Sequence, residues 1–185
     1  MPILDEHSLD FWSHSAEQTR RFGARLGELL LPGDLVTLSG ELGAGKTTFM
    51  AGIGHGWGSS DQVTSPTFVL VNDYRRPDGL HLWHLDCYRL NSGAEALALG
   101  FDDLLASGGI MVVEWPERIA DVLPAERLRL DLRWVDDTRR GLRLEAGGAL
   151  TVKPAAGGAL TNQPGAGGTR YQTLLDDFRR SAFGS

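Results

Sequence analysis

"SGELGAGKTTF", residues 39–49, holds one of only two lysines in the 185-residue chain, whose positive charge is otherwise arginine. Gly40, four further residues, then Gly45, Lys46 and Thr47 fit the spacing G-x-x-x-x-G-K-[ST] of a phosphate-binding loop. Upstream, Asp34-Leu-Val-Thr-Leu-Ser39 reads as a short apolar strand; downstream, the run from Thr47 opens a helix. The glycines let the backbone turn successive amides inward, from Gly43, Ala44 and Gly45 through Lys46, Thr47 and Thr48. A helix starting near Lys46 adds unsatisfied N–H donors and the positive end of its dipole, so the ligand that fits is a polyanion. Lys46 then reaches the β- and γ-phosphates of a nucleotide, and the Thr47 hydroxyl is placed to bind Mg2+.

Two carboxylates complete the pattern. Glu114 follows the unbroken apolar run Ile110-Met-Val-Val113, and Asp86 follows Leu80-His-Leu-Trp-His-Leu85. Parallel α/β sheets bind ligands beyond the carboxyl ends of their strands, where both acids fall. Glu114 is the expected second protein ligand of the metal, beside Thr47. Asp86 is placed to orient or deprotonate an attacking water. His81, His84, Asp86 and Cys87 do not form a metal cluster, because His81 points to the opposite side of a strand from His84 and Asp86.

Composition limits the surroundings. With 42% hydrophobic residues the chain can bury one core, and a net charge of -6 argues against a surface devoted to nucleic acid. The single cysteine, Cys87, excludes an internal disulfide framework and fits a reducing compartment. No apolar run approaches a membrane span, and the acidic amino terminus lacks a signal-peptide layout, so a cytoplasmic protein is expected.

Along the chain, Ser15-Ala-Glu-Gln18 has capping-box form, with Phe22, Leu26, Leu29 and Leu30 following at helical spacing. Residues 54–60 read as a flexible glycine-rich stretch, 63–71 as a loop entering a strand, and 93–106 as a helix broken near Gly100. Leu128 to Trp134 and Gly141 to Leu144 alternate as a late hairpin. The expected class is α/β, a P-loop NTPase fold with a largely parallel central sheet flanked by helices, over residues 1–146. Residues 147–185 are dominated at first by Gly, Ala and Pro and read as a flexible, solvated tail, with a short helix at 171–180 as the minority reading.

Taken in order, "GELGAGKTTF" (40–49), "VTSPTF" (63–68), "HLDCYRL" (84–90) and "VEWPERI" (113–119) resemble the TsaE family. That family is the bacterial ATPase subunit supporting N6-threonylcarbamoyladenosine formation in tRNA. The resemblance implies Mg2+-dependent ATP hydrolysis beside two partners, a transferase and its non-catalytic paralogue, with tRNA contact indirect. It matches Lys46 and Thr47 to the family's phosphate loop, Asp86 to the aspartate of H-x-D-x-Y-R, and Glu114 to the magnesium-binding glutamate. Thr64, Ser65 and Thr67 lie in a segment resembling a nucleotide-sensing switch, and Trp115 is implied to pack near the nucleotide. His14, Ala16, Glu117 and Arg140 are implied to approach the adenosine end. Cys87 departs from the aliphatic residue usual there, and the tail exceeds the usual family length.

Two other classes use the same loop. A small-molecule kinase would need an arginine-bearing lid, for which Arg127, Arg129 and Arg133 are the candidates. A nucleotide-gated interaction module would turn over little by itself. A Ras-type GTPase is disfavoured: the second lysine, Lys153, follows Val152 and belongs to no Asn-Lys-x-Asp string.

Overall fold

The computed structural model describes residues 3–5, 7–61, 63, 70–147 and 166–184. Its elements, in chain order, are β1 (Ile3–Asp5), β2 (Ser8–Ser13), α1 (Ala16–Leu29), β3 (Leu35–Ser39), α2 (Lys46–Trp57), β4 (Val71–Arg75) and β5 (His81–Asp86). There follow α3 (Gly93–Ala98), α4 (Phe101–Ala106), β6 (Ile110–Glu114), a 3₁₀ turn (Pro116–Ile119), β7 (Leu128–Trp134), β8 (Arg140–Ala146) and α5 (Ala166–Phe183).

The strands form one sheet in the order β1-β2-β8-β7-β3-β6-β5-β4. At its centre β3 pairs in parallel with both β6 and β7, and β6 pairs in parallel with β5. Antiparallel partners flank this block: β4 beside β5 on one side, and β8, β2 and β1 on the other. The late hairpin is β7–β8. Every residue of β6 is buried, as a continuous apolar run predicts for a strand covered on both faces. Ile110 and Val112 enter a core cluster with α1, α2 and α5, while Met111 and Val113 enter a second with α3, α4 and the 3₁₀ turn.

Local signals set the helix starts. The Ser15 hydroxyl accepts the Gln18 N–H at 3.0 Å, and the Gln18 side-chain oxygen accepts the His14 N–H at 2.7 Å, a reciprocal cap reaching one residue beyond the usual box. Gly100, with φ of 84°, separates α3 from α4 where the sequence predicts a break.

The glycine-rich stretch 54–60 is not a flexible loop through its length. Helix α2 continues to Trp57 and ends at Gly58, whose φ is 87°. The glycines are used in packing: a Cβ on Gly52 would overlap Arg20 O and stand 2.9 Å from the Ala24 nitrogen, and one on Gly27 would stand 2.8 Å from the Trp57 nitrogen. Backbone meets backbone along this α1–α2 seam, and side chains are excluded. Gly52→Ala is therefore expected to destabilise the protein by about 1–3 kcal/mol, the usual cost of overpacking. An unchanged midpoint of thermal unfolding would refute the seam.

The expected solvated tail is corrected from Ala166 onward; residues 148–165 lie outside the described residues. From Ala166 the chain forms an 18-residue helix, and Tyr171, Leu174, Leu175 and Phe178 are at most 5% exposed. Phe178 and Phe183 pack on Phe11, with ring centroids 5.8 and 5.3 Å away, and Phe11 packs on Phe22 at 4.8 Å. Arg170 forms an ion pair with buried Asp34 and donates to Leu29 O at 3.1 Å. The Tyr171 hydroxyl accepts the Leu35 N–H at 2.8 Å. The helix is thus tied to the first residue of β3, the strand that leads into the phosphate loop.

Candidate nucleotide-binding site

Beyond the carboxyl ends of β3, β5 and β6 lies a cleft of about 670 Å³, lined among others by Gly43, Gly45, Lys46, Thr47, Thr48, Asp86, Glu114 and Trp115. Gly40 and Gly45 shape the loop through φ of 138° and 105°, a region that favours glycine. A side chain at Gly40 would also overlap Leu132 O. The amides of Lys46, Thr47 and Thr48 occupy the first turn of α2, where no intrahelical acceptor exists. The Ala44 N–H differs from expectation: it donates to Glu41 O at 3.1 Å, and Ala44 is fully buried. It supports the loop from beneath.

Lys46 is only 5% exposed. Its ammonium donates to Gly40 O at 2.6 Å and Glu41 O at 2.9 Å, and sits 4.0 Å from the Trp115 ring centroid. Burial lowers its pKa below the ordinary lysine value, against the opposing charges of Glu114, Glu117 and Asp86. Trp115 is the one non-glycine with positive φ among the described residues, at 58°. That turn starts the 3₁₀ segment and lays the indole over Lys46, with Tyr88 at 4.9 Å on its other contact.

Asp86 and Glu114 are direct partners in the β5–β6 register, so their side chains share one face of the sheet. Asp86 accepts the Tyr88 N–H at 3.0 Å. Its pKa is raised, chiefly by burial, with a further push from the Glu114 charge. Glu114 is 3% exposed and its Oε1 accepts a hydrogen bond from His84 Nε2 at 3.0 Å. Cys87 is buried, and burial pushes its thiol up to about 12, which leaves it a small apolar side chain.

The remaining predicted residues that the structure describes lie apart from the cleft lining. Glu117 is exposed on the 3₁₀ turn, close enough for its charge to act on Lys46. Arg140 lies on the other side of the loop: its Cγ and Nε are 3.8 Å from where a Gly45 Cβ would stand. Ser13 is its register partner, so exposed His14 and Ala16 gather near it at the β2–β8 end. Thr64, Ser65 and Thr67 lie outside the described residues. Sequence reasoning missed His84 and the cleft-lining Leu42, Leu70, Tyr88, Arg89, Leu90 and Glu95. The run "HLDCYRL" held the signal for four of these seven: His84, Tyr88, Arg89 and Leu90. The arginines considered for a kinase lid are engaged elsewhere: Arg129 pairs with Glu145 at 3.6 Å, Arg133 with Asp10 at 3.7 Å, and Arg127 donates to Pro124 O.

The family model for threonylcarbamoyl adenosine biosynthesis protein TsaE matches residues 13–142. The chain belongs to the TsaE family. A Treponema pallidum TsaE, described as a tRNA threonylcarbamoyladenosine biosynthesis protein, is 40% identical over 128 residues, covering 69% of this chain and 93% of that protein. A Streptomyces coelicolor TsaE of the same description is 46% identical over 126 residues, covering 67% and 85%. The crystal structure of Bacillus subtilis YdiB superposes with a TM-score of 0.69 at 28% identity, covering 98% of this chain and 97% of that one. This TsaE-family chain is accordingly a P-loop nucleotide-binding protein. Among the described residues, no helix is long and apolar enough to cross a membrane. Helix α5 lies wholly outside the segment that the TsaE model matches.

Proposed function

We propose that the chain is the Mg2+-dependent ATPase subunit of N6-threonylcarbamoyladenosine formation in tRNA, acting in the cytoplasm beside a transferase and its non-catalytic paralogue. Its contact with tRNA would be indirect. The observation that carries this reading is one cleft lined together by Lys46, Thr47, Asp86 and Glu114. The cleft volume falls within the roughly 300–1,000 Å³ usual for small-ligand sites. A hydroxyl and two carboxylates supply hard oxygen donors, the set that suits Mg2+.

In this reading, Lys46 and the first-turn amides of α2 hold the phosphates, and Thr47 and Glu114 hold the metal. When bound, Mg2+ would neutralise charge on the phosphate oxygens. Asp86 orients a water and accepts its proton; the raised pKa makes it a stronger base than an ordinary aspartate. Arg140, His14, Ala16 and Glu117 approach the adenosine, Trp115 packs near the nucleotide, and Thr64 senses the terminal phosphate. Lys46 is tied to Gly40 O and Glu41 O and covered by Trp115, which agrees with slow turnover until a partner is present. The engagement of Arg127, Arg129 and Arg133 elsewhere disfavours the kinase alternative.

A direct test is nucleotide titration with Lys46→Ala. Charge-assisted hydrogen bonds contribute roughly 1.5–3 kcal/mol each, so losing the ammonium should weaken ATP binding about 100-fold. Unchanged affinity would remove Lys46 from the site. Turnover of ATP over GTP that rises on adding the transferase and its paralogue would support the assembly role; full activity without them would count against it.

A further inference from the structure

His84 is fully buried and serves none of the roles given above. It stands two residues before Asp86 on β5, and its register partner on β6 is Val112, two residues before Glu114. Glu114 therefore has Asp86 directly opposite and His84 on the diagonal, and it leans back to take the hydrogen bond from His84 Nε2 at 3.0 Å. Tyr74 stacks against the imidazole at 6.2 Å with an interplanar angle of 26°, and is itself hydrogen-bonded by Asn72 at 3.1 Å. The ring is thus fixed from the β4 side.

The other ring nitrogen, Nδ1, is buried and has no hydrogen-bond partner among the described residues. With the proton on Nδ1, Nε2 would turn a bare lone pair toward a carboxylate that can only accept, and the buried Nδ1–H would go unsatisfied. The proton accordingly belongs on Nε2, where the carboxylate accepts it. This arrangement occupies one oxygen of Glu114 and leaves the other for the cleft. Without the donor, Glu114 could swing toward the Lys46 ammonium, on which its charge already acts.

We propose that His84 is a positioning residue for Glu114: it fixes the carboxylate with one oxygen turned to the cleft and thereby sets the affinity for a divalent cation there. The inference rests on the reading of Glu114 as a metal ligand. It also follows a general pattern, in which partners that orient a ligand alter metal affinity about 10- to 100-fold.

The test measures Mn2+ binding by electron paramagnetic resonance with a non-hydrolysable ATP analogue, in the full-length parent, His84→Leu and His84→Gln. Glutamine keeps an N–H donor at similar reach; leucine fills the space without one. The expected result is a 10- to 100-fold rise in the Mn2+ Kd for His84→Leu and recovery to within a few-fold for His84→Gln, with analogue binding in EDTA unchanged in both. Parent-like Mn2+ affinity in His84→Leu would overturn the role of His84 while leaving Glu114 as a ligand. Equal losses in the two variants would overturn it as well, since they would reflect packing of the ring. If the parent binds no Mn2+ with the analogue, the metal reading of Glu114 falls, and this inference with it. Should His84→Leu not fold, the glutamine variant decides: a Kd raised tenfold or more overturns the proposal, and one near the parent's supports it.

Discussion

Asp86→Asn is expected to hydrolyse ATP about 10²- to 10⁴-fold more slowly than the parent, the usual contribution of a positioned general base, while binding the nucleotide normally. The amide keeps the shape of the side chain and its contact with the Tyr88 N–H but cannot take a proton. Because burial raises the pKa of Asp86, the acid limb of the parent's rate profile should lie at higher pH than for an ordinary aspartate, with activity rising as pH rises through it. The sign for stability is opposite. A carboxyl whose folded pKa exceeds its unfolded value favours the folded state below the unfolded pKa, and loses that advantage as pH rises through the folded one. At neutral pH the ionised Asp86 is therefore a burden, and metal-free Asp86→Asn should melt no lower than the parent. Steady-state turnover and thermal unfolding in EDTA check both halves. Parental turnover in the variant would exclude Asp86 from the chemistry.

Phe178→Ala should destabilise the protein by about 3–5 kcal/mol, the range for removing a buried aromatic ring. The ring is wholly buried and packs against Phe11 and Phe22, so its loss opens a cavity between α5, β2 and α1. Equilibrium unfolding in urea measures it. A loss below about 1 kcal/mol would mean that α5 merely rests on the domain.

The parts of the fold that were legible in the sequence are those where one residue type has one physical job. A lysine after two glycines, an unbroken apolar strand ending in an acid, and a serine–glutamine cap each had few structural alternatives. Helix α5 is only partly legible: Tyr171, Leu174, Leu175 and Phe178 sit at the helical spacing behind the short helix expected at 171–180, but the adjoining Gly/Ala/Pro-rich segment hides that it docks on the core. Strand β2 is not legible in the sequence because the apolar alternation fails: Ser8 and Ser13 are buried while Trp12 is exposed. The end of α2 was hidden by its glycines, which signal a loop unless their contact with α1 is known. At the candidate site the acids were found by strand position, but the His84–Glu114 bond depends on register between β5 and β6, which one strand's sequence does not carry.

The glycine seam between α1 and α2 also has a mechanical consequence. With main chains in direct apposition at Gly23, Gly27, Gly52 and Gly56, the two helices form a stiff beam, and the amino end of α2 that presents Lys46 is anchored to it. A ligand arriving in the cleft meets an unyielding wall on that side. The opposite wall of the cleft has no such seam: it is built by the segment after β5, with Tyr88 and Arg89, and by the Trp115 turn after β6.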